Sequence, residues 1–435
     1  MSRRLPFFYG WVVVGTIAAV LMGTNGARLL FGVVLKPLTD EFGWDRGSLT
    51  GAVLVNTVIM SAMQPFTGWF TDRVGPKRVL IVGTVTIGGM LLALSFAQSL
   101  AQMYLIYGVL GGVVLTTSSP VIATSIVHEW FTTRRAAALA IATAGAPLGQ
   151  LAVVPVAALV LSATDWQTTY RVLAIFLIAA IVPIGWLFLR ESPAEIGLNP
   201  DGASDEAAAA DVSRHPGNHA GVDLITAIRD QRFWILAFGF LVCGFTMAFA
   251  NTHFLAYADD MGMHTSMASA SVAVTAVFSV IGTIALGIAA DRNRRPPILA
   301  LTYALRGLAF FLLFALPTGP LVYIYAVVLG ISWSATTPLT AAIAADIYGR
   351  ANLGLIFGTM YTTMNLGFGI GAVLDGVIFD ATGDYQPALV FNGLVGLAAA
   401  GVIYLPRCFS ATAGSLFEQK PLGAAPSQPH LIAGD

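Results

Sequence analysis

Arg28 is the residue whose type and position most directly indicate chemistry. It is the only charged residue between Trp11 and Leu35, in an otherwise apolar run. Burying a guanidinium among apolar helices costs about 3 kcal/mol or more, so we expect it to face a polar interior or a bound anion. Its planar fork can hold a carboxylate through two hydrogen bonds. Two alternatives stay open: an ion pair with an acidic residue, or a side chain that reaches outward to the interface.

His253 is the second candidate, because it is the only histidine well inside an apolar run. An imidazole titrates near neutral pH, so His253 could carry a proton that accompanies an anion. The alternative is a histidine whose ring nitrogens are simply hydrogen-bonded near the end of its helix, since the loop at Asp259 follows soon after. The sequence favours this second interpretation slightly.

A charged loop, GWFTDRVGPKR, begins at Gly68 between two long apolar runs and recurs later in the chain. The same offset relates DEFGW, from Asp40, to DDMGM, from Asp259, so two landmarks indicate one internal repeat. We expect Asp72 and Arg73 to hold the cytoplasmic face closed through helix-end and charge contacts, with Asp72 near the positive end of a neighbouring helix. The predicted gating residues of the two copies are Gly68, Asp72 and Arg73, then Asp291 and Arg292, the latter two following the repeated Gly287.

The composition indicates a membrane protein. Of 435 residues, 56% are hydrophobic and only 10% are charged, with a mean hydropathy of +0.77; soluble domains are about a quarter charged. A span needs roughly 20 apolar residues, and successive runs of this length extend from 9–37 to 386–405. We predict an all-α membrane protein with twelve transmembrane helices arranged as two six-helix bundles, with the lipid bilayer as its surroundings.

The distribution of basic residues predicts the orientation. Most of the 22 Lys and Arg residues lie in the N-terminal segment, in alternate loops, in the polar linker and in the tail, which places both termini in the cytoplasm. The predicted domains are an N-terminal bundle at 1–190, a cytoplasmic linker at 191–231, a C-terminal bundle at 232–407 and a disordered cytoplasmic tail at 408–435.

Several functional classes are disfavoured by the sequence. It has no glycine-rich phosphate loop, dinucleotide-binding turn, Cys/His metal cluster or Ser/His/Asp arrangement. Cys243 and Cys408 make no disulfide or metal framework. We therefore expect no enzyme activity, no cofactor, no metal site and no nucleic-acid partner.

The loop GWFTDRVGPKR closely resembles the signature loop between the second and third helices of the major facilitator superfamily. The segments FFYGWVVV, FGVVLKPLTDEFGW and ESPAEIGLNPDG resemble the bacterial branch of its monocarboxylate and oxalate/formate transporters. The resemblance implies two six-helix halves that alternate in access around a central substrate site.

The resemblance also implies that helices one, four, seven and ten line the pathway, where hydroxyls and amides could bond a small acid. The alternative is that such groups bond backbone carbonyls or join helices. Arg306, in the peripheral ninth helix, is expected to be structural and to lie near the tenth helix, with Asp346 as a possible partner. The predicted substrate contacts beside Arg28, including two from the eleventh helix, are Asn25, Tyr107, Asn251, Ser334, Tyr361 and Asn365.

Together these features favour a secondary transporter in the bacterial inner membrane that moves a small organic anion, coupled to protons, as a monomer. Two alternatives stay open: proton-driven efflux of an amphipathic compound, and a membrane sensor that does not transport.

Overall fold

The computed structural model describes residues 8–44, 46–204, 222–315, 319–349 and 352–404. Twelve long helices, some with a local break, follow one another along these ranges, and they form two groups of six. They are α1 Gly10–Phe42, α2 Arg46–Val74, α3 Pro76–Leu94, α4 Leu100–Trp130, α5 Arg135–Ala163, α6 Trp166–Phe188, α7 Gln231–Asp260, α8 Thr265–Arg292, α9 Arg295–Ala315, α10 Gly319–Tyr348, α11 Leu353–Thr382 and α12 Gln386–Tyr404.

Eleven of these helices in the described chain are long and apolar enough to cross a membrane. The twelfth, α2, is 29 residues long but carries Asn56 and Gln64 within its apolar run. Both side chains are buried, and Asn56 donates a hydrogen bond to Tyr107 O at 2.8 Å. The lower hydropathy of α2 therefore reflects polar side chains that pack against other helices. With α2 included, the predicted count of twelve helices is confirmed.

The helices extend beyond the predicted apolar runs. Helix α1 continues past residue 37, where Lys36 and Asp40, one turn apart, form an exposed ion pair at 3.3 Å along its surface. It ends at Gly43, whose φ of 66° lets its N–H bond back to Thr39 O. The polar residues thus end the apolar run of α1, while the helix itself continues to Phe42.

Small residues allow the same close packing in both halves. A Cβ on Gly145 of α5 would lie 2.1 Å from Ala18 O of α1. In the second half, a Cβ on Gly367 of α11 would lie 1.9 Å from Leu241 O of α7. The helix pairs α1/α5 and α7/α11 are therefore packed backbone against backbone.

Helices α4 and α10 are each interrupted near their middle. In α4 the backbone is extended at Ser119, and Pro120 begins the second segment. In α10 the first segment ends at Trp333 and the second begins at Thr336. The breaks leave backbone groups that other residues must satisfy.

The two halves meet at the side of the bundle where α1 begins and α12 ends, which we call the terminal face; the opposite side is the distal face. The described linker is folded on the terminal face, where Thr132 and Thr133 both donate backbone N–H groups to Asp201 at 2.8 Å. Val222 N bonds Tyr348 O at 3.1 Å. The predicted tail at 408–435 and linker residues 205–221 lie outside the described residues.

Candidate substrate cavity and closure

A central cavity of about 360 Å³ lies between the two halves. It is lined by residues of both halves, as expected for a substrate site between them. The polar residues of its lining include Asn25, Arg28, Thr57, Thr143, Gln150, Asn251, Thr275, Ser279, Ser334, Thr337, Tyr361 and Asn365. Six of the predicted substrate-binding residues are in this set.

Arg28 is a cation without a protein counter-ion. Its side chain is exposed to the cavity, and its guanidinium has no hydrogen-bond or ion-pair partner among the described residues. Arg28 and Tyr361, from opposite halves, are close enough to interact electrostatically. Because α1 extends from Gly10 to Phe42, Arg28 lies roughly 3 Å beyond the helix midpoint. An anion in this cavity would supply the missing partner.

Amide side chains flank Arg28 with unused hydrogen-bonding capacity. Asn25 donates to Ala146 O at 2.7 Å, which leaves its carbonyl oxygen free. Asn251 is tied to Met247 O at 2.8 Å in the same way. The side-chain nitrogen of Asn365 is buried and has no partner among the described residues. This nitrogen is a donor available to a ligand oxygen.

The hydroxyls differ in availability. Ser334, at the break in α10, accepts a hydrogen bond from Ser279 Oγ at 3.0 Å. Tyr361 is half-buried and packs its ring edge-on against Phe240, with centroids 5.8 Å apart. The hydroxyl of Tyr361 has no hydrogen-bond partner in the described chain, so it can donate to or accept from a ligand.

The prediction for Tyr107 is wrong in its geometry. Tyr107 is buried, does not line the cavity, and stacks on Phe31 with ring centroids 4.2 Å apart. Its hydroxyl lies 3.5 Å from the backbone oxygen of Arg28. Tyr107 therefore supports the helix that carries Arg28, because α4 presents this face to α1 and not to the cavity.

Gln150 was missed by sequence reasoning, which placed no cavity residue on α5. It is exposed to the cavity and has no hydrogen-bond partner among the described residues. The signal was present, since Gln150 is the only amide side chain in Arg135–Ala163. A lone amide in an apolar helix is costly against lipid and therefore tends to face a polar interior.

His253 does not line the cavity. Its Nε2 lies 2.9 Å from Ala372 O, a pure acceptor, so Nε2 carries the proton and donates. Its Nδ1 lies 3.2 Å from the hydroxyl of Tyr385, which donates to it when the ring is neutral. The ring thus joins α7 to α11 and to the α11–α12 connection. Both nitrogens have partners, which agrees with the alternative in which His253 is structural; a role in proton transfer stays a prediction.

Arg306 lies against the tenth helix, as predicted, but Asp346 is not its partner. It is fully buried, and Nη2 donates to Ser332 O at 2.5 Å and Trp333 O at 2.6 Å. Nη1 donates to Cys243 Sγ at 2.8 Å. Asp346 lies roughly 18 Å along α10 from the break, too far along the helix to be level with Arg306. The guanidinium instead satisfies the carbonyls at the C-terminal end of the first α10 segment, where the helix dipole favours a cation.

We expect Arg306→Met to lower the melting temperature of the purified protein. Two buried carbonyls would lose their donor, at about 1 to 3 kcal/mol each, partly offset because methionine carries no charge to desolvate. Arg171→Met is the matched control, since Arg171 is half-buried and donates one long hydrogen bond to Ser95, at 3.2 Å. Equal melting temperatures for wild type and Arg306→Met would contradict the role assigned to Arg306.

The predicted gate lies at the terminal face. Asp72, at the end of α2, accepts hydrogen bonds from Gly354 N at 3.1 Å and Leu355 N at 3.0 Å. These are the second and third residues of α11, where unsatisfied N–H groups and the helix dipole favour an anion. Gly68, one turn earlier, allows this contact, because a Cβ there would lie 2.1 Å from Gly354 O.

The repeated loop makes the equivalent contact in the opposite direction. Asp291, at the end of α8, accepts from Ala136 N at 2.9 Å and Ala137 N at 2.7 Å, the second and third residues of α5. A Cβ on Gly287 would lie 2.8 Å from Ala136 O. Each half thus caps a helix of the other half.

The arginines next to these aspartates take no part in the described contacts between the halves. Arg73 lies over the ring of Trp69, 4.3 Å from its centroid, within its own helix. Arg292 is exposed and has no ion pair among the described residues. A helix places consecutive residues about 100° apart, so an arginine directly after a capping aspartate points away from the interface.

Arg295 and Arg135 supply the positive charge at the closure instead. Arg295 pairs with Asp291 at 3.3 Å and also contacts Asp346. Arg135, which is buried, reaches Asp346 from the other half at 3.0 Å. Asp346 therefore links the two halves through Arg135, and Arg295 joins Asp346 to Asp291 within the second half.

No group of three or more His, Cys, Asp or Glu residues in the described chain could hold a metal ion.

The family model described as Major Facilitator Superfamily matches residues 12–305 and 236–428. An uncharacterized MFS-type transporter, YcxA of Bacillus subtilis (strain 168), is 26% identical over 88% of this chain and 93% of its own length. Monocarboxylate transporter 13 of Rattus norvegicus is 24% identical over 92% of this chain and 90% of its own length.

Among solved structures, the proton:xylose symporter XylE bound to 6-bromo-6-deoxy-D-glucose aligns with a TM-score of 0.69 at 16% identity. The alignment covers 94% of this chain and 98% of that one. This likeness shows the same fold. Since the family model also matches nearly the whole chain, including both copies of the repeated loop, the protein belongs to the major facilitator superfamily and is a multi-pass membrane protein.

Proposed function

We propose that this protein is a secondary active transporter that moves a small organic anion, of the monocarboxylate kind, together with protons. The observation that carries the proposal is the guanidinium of Arg28, which is exposed in the central cavity without a protein counter-ion. An unpaired cation at this depth is unfavourable unless water or an anion reaches it. The relatives named as monocarboxylate transporters support the same substrate class at low identity.

The surroundings of Arg28 suit a carboxylate with a short organic remainder. Arg28 can hold the carboxylate through two hydrogen bonds. Tyr361 and the Asn365 amide, from the other half, can bond a hydroxy or keto oxygen, so that bound substrate would bridge the two halves. Apolar groups in the lining, including Leu29, Phe254 and Phe368, can contact the carbon chain.

The two capped helix ends suggest how access alternates. In this conformation Asp72 and Asp291 hold the terminal face closed beneath the cavity. We propose that both contacts break when the halves rock, which would open the cavity to that side. The basic residues near this face, among them Lys77, Arg78 and Arg134, support a cytoplasmic orientation for it by the positive-inside rule. The protein itself would function as a monomer in the inner membrane.

Reconstitution tests the proposal. Proteoliposomes should accumulate radiolabelled pyruvate or lactate when the outside is made acidic, and accumulation should collapse when a protonophore removes the gradient. Screening the same acids for thermal stabilisation of purified protein selects the best ligand, because a ligand that binds the native state raises its apparent stability. Absence of stabilisation and uptake across a panel of mono- and dicarboxylates would refute the anion assignment.

A further inference from the structure

Asp375 is a buried acidic residue that the substrate cavity does not use. It lies on α11, is 0% exposed, and sits roughly 15 Å beyond Asn365 toward the distal face. Asn392 of α12, also 0% exposed, donates from Nδ2 to Asp375 Oδ1 at 2.8 Å and to Ala388 O at 2.9 Å. Because Nδ2 contacts two acceptors, the orientation of the amide is fixed.

Two acceptor atoms of this pair have no donor. Asp375 Oδ2 and Asn392 Oδ1 are both buried and lack a hydrogen-bond partner among the described residues. Buried acceptors are rarely left unpaired, and an uncompensated carboxylate inside a membrane bundle is strongly unfavourable. A proton on Asp375 Oδ2 would remove the charge and would turn that oxygen from an unpaired acceptor into a hydrogen-bond donor.

The groups around the pair do not supply a compensating cation. His253 of α7 donates to Ala372 O on the preceding turn of α11, and its ring lies near Gly376. Arg306 of α9 donates its hydrogen bonds to atoms of α7 and α10. Asp375 has no ion pair with any described residue.

The distal side of the pair is acidic. Tyr385 lies between α11 and α12 and bonds His253. Burial raises the pKa of Tyr385, and the carboxylates of Asp260 and Asp380 raise it further, so its hydroxyl stays protonated at neutral pH.

A proton fits this site better than a metal ion. Hard cations such as Ca²⁺ and Mg²⁺ take about six or more oxygen ligands, and only two oxygens here lack a donor. A single proton on Asp375 neutralises the carboxylate without further ligands.

We propose that Asp375 binds the proton that is transported with the organic anion. The inference rests on the proposed function and goes beyond it by naming the proton site and by locating it on α11. The same helix carries Tyr361 and Asn365 in the cavity and begins at the N–H groups that Asp72 caps. Substrate, proton and closure would therefore all act on α11.

Asp375→Asn tests the coupling, because asparagine is nearly isosteric and permanently neutral. The variant should fold and exchange labelled for unlabelled substrate across the proteoliposome membrane, yet lose accumulation driven by a pH gradient. Asp380→Asn is the matched control: Asp380 is exposed on the same helix and should keep full accumulation. Gradient-driven accumulation by Asp375→Asn at the wild-type level would overturn the proposal, as would wild-type accumulation that follows a sodium gradient and not a proton gradient.

Infrared spectroscopy tests the site without any transport. At neutral pH the wild-type spectrum should contain the C=O stretch of a protonated carboxylic acid, which shifts in D₂O and is missing from Asp375→Asn but present in Asp380→Asn. If the infrared C=O band of protonated carboxylic acids were identical in wild type and Asp375→Asn, Asp375 would be ionised. That result would exclude Asp375 as the proton site. If no carboxylate is bound or transported but this band is found, the anion assignment fails while the proton site stands.

Discussion

Replacing Arg28 with glutamine should weaken binding of the best-stabilising carboxylate by roughly ten- to 150-fold. The estimate follows from losing a charge-assisted hydrogen bond worth about 1.5 to 3 kcal/mol. Arg28→Lys should bind better than the glutamine variant but worse than wild type, because lysine keeps the charge and loses the planar fork. Affinity can be measured by isothermal titration of the purified variants.

The melting temperature separates a ligand-binding arginine from a structural one. Arg28 has no protein partner among the described residues, so Arg28→Gln should be at least as stable as wild type without ligand. Lys36→Gln is the control for charge alone, since Lys36 lies on the same helix, is exposed, and pairs with Asp40 at 3.3 Å. An Arg28→Gln protein that melts early yet binds carboxylates normally would exclude the anion site.

Asp72→Asn and Asp291→Asn should each favour the conformation that is open at the terminal face and should slow turnover while leaving substrate binding measurable. An asparagine presents one acceptor oxygen where the carboxylate accepts two N–H bonds, and it carries no charge for the helix dipole. A loss of about 1.5 to 3 kcal/mol would reduce the closed-to-open ratio roughly ten- to 150-fold. The two effects should add in the double variant, because the contacts are separate and stabilise one state.

The reactivity of an introduced cysteine measures the equilibrium between the closed and open conformations. Ser61, on α2 at the contact with Thr362 of α11, is 8% exposed in the closed conformation. Ser61→Cys, in a Cys408→Ser background, should react faster with a membrane-impermeant maleimide from the terminal side when Asp72→Asn is added. Asp40→Asn, at the exposed distal end of α1, should change neither reactivity nor transport. Unchanged reactivity together with wild-type transport in Asp72→Asn would contradict a gating role for Asp72.

Features that depend on local composition and on the repeat were predictable from sequence. Apolar runs of spanning length gave the helices, since a bilayer admits few other structures. The repeated loop placed Asp72 near the start of a neighbouring helix, and its second copy at Asp291 makes the same capping contact. The isolated charge of Arg28 indicated a polar interior, because the cost of a charge in lipid does not depend on which helices surround it.

Which face of each helix meets the cavity was decided only by the tertiary structure. Tyr107 and Gln150 are both polar residues in apolar helices, yet the rotation of α4 turns Tyr107 toward α1 and that of α5 turns Gln150 into the cavity. Helix rotation is set by side-chain packing summed along the whole helix, which a single residue type does not encode.

The tertiary structure also determined which groups the buried charges contact. Arg306 meets the free carbonyls at the break in α10, Asp346 meets Arg135 and Arg295, and Asp375 meets Asn392 on the next helix. Hydrogen bonds reach only about 3 Å, so each pairing depends on the relative height and rotation of two helices. The sequence determined that these charges need partners, and the packing of the helices determined which partners they have.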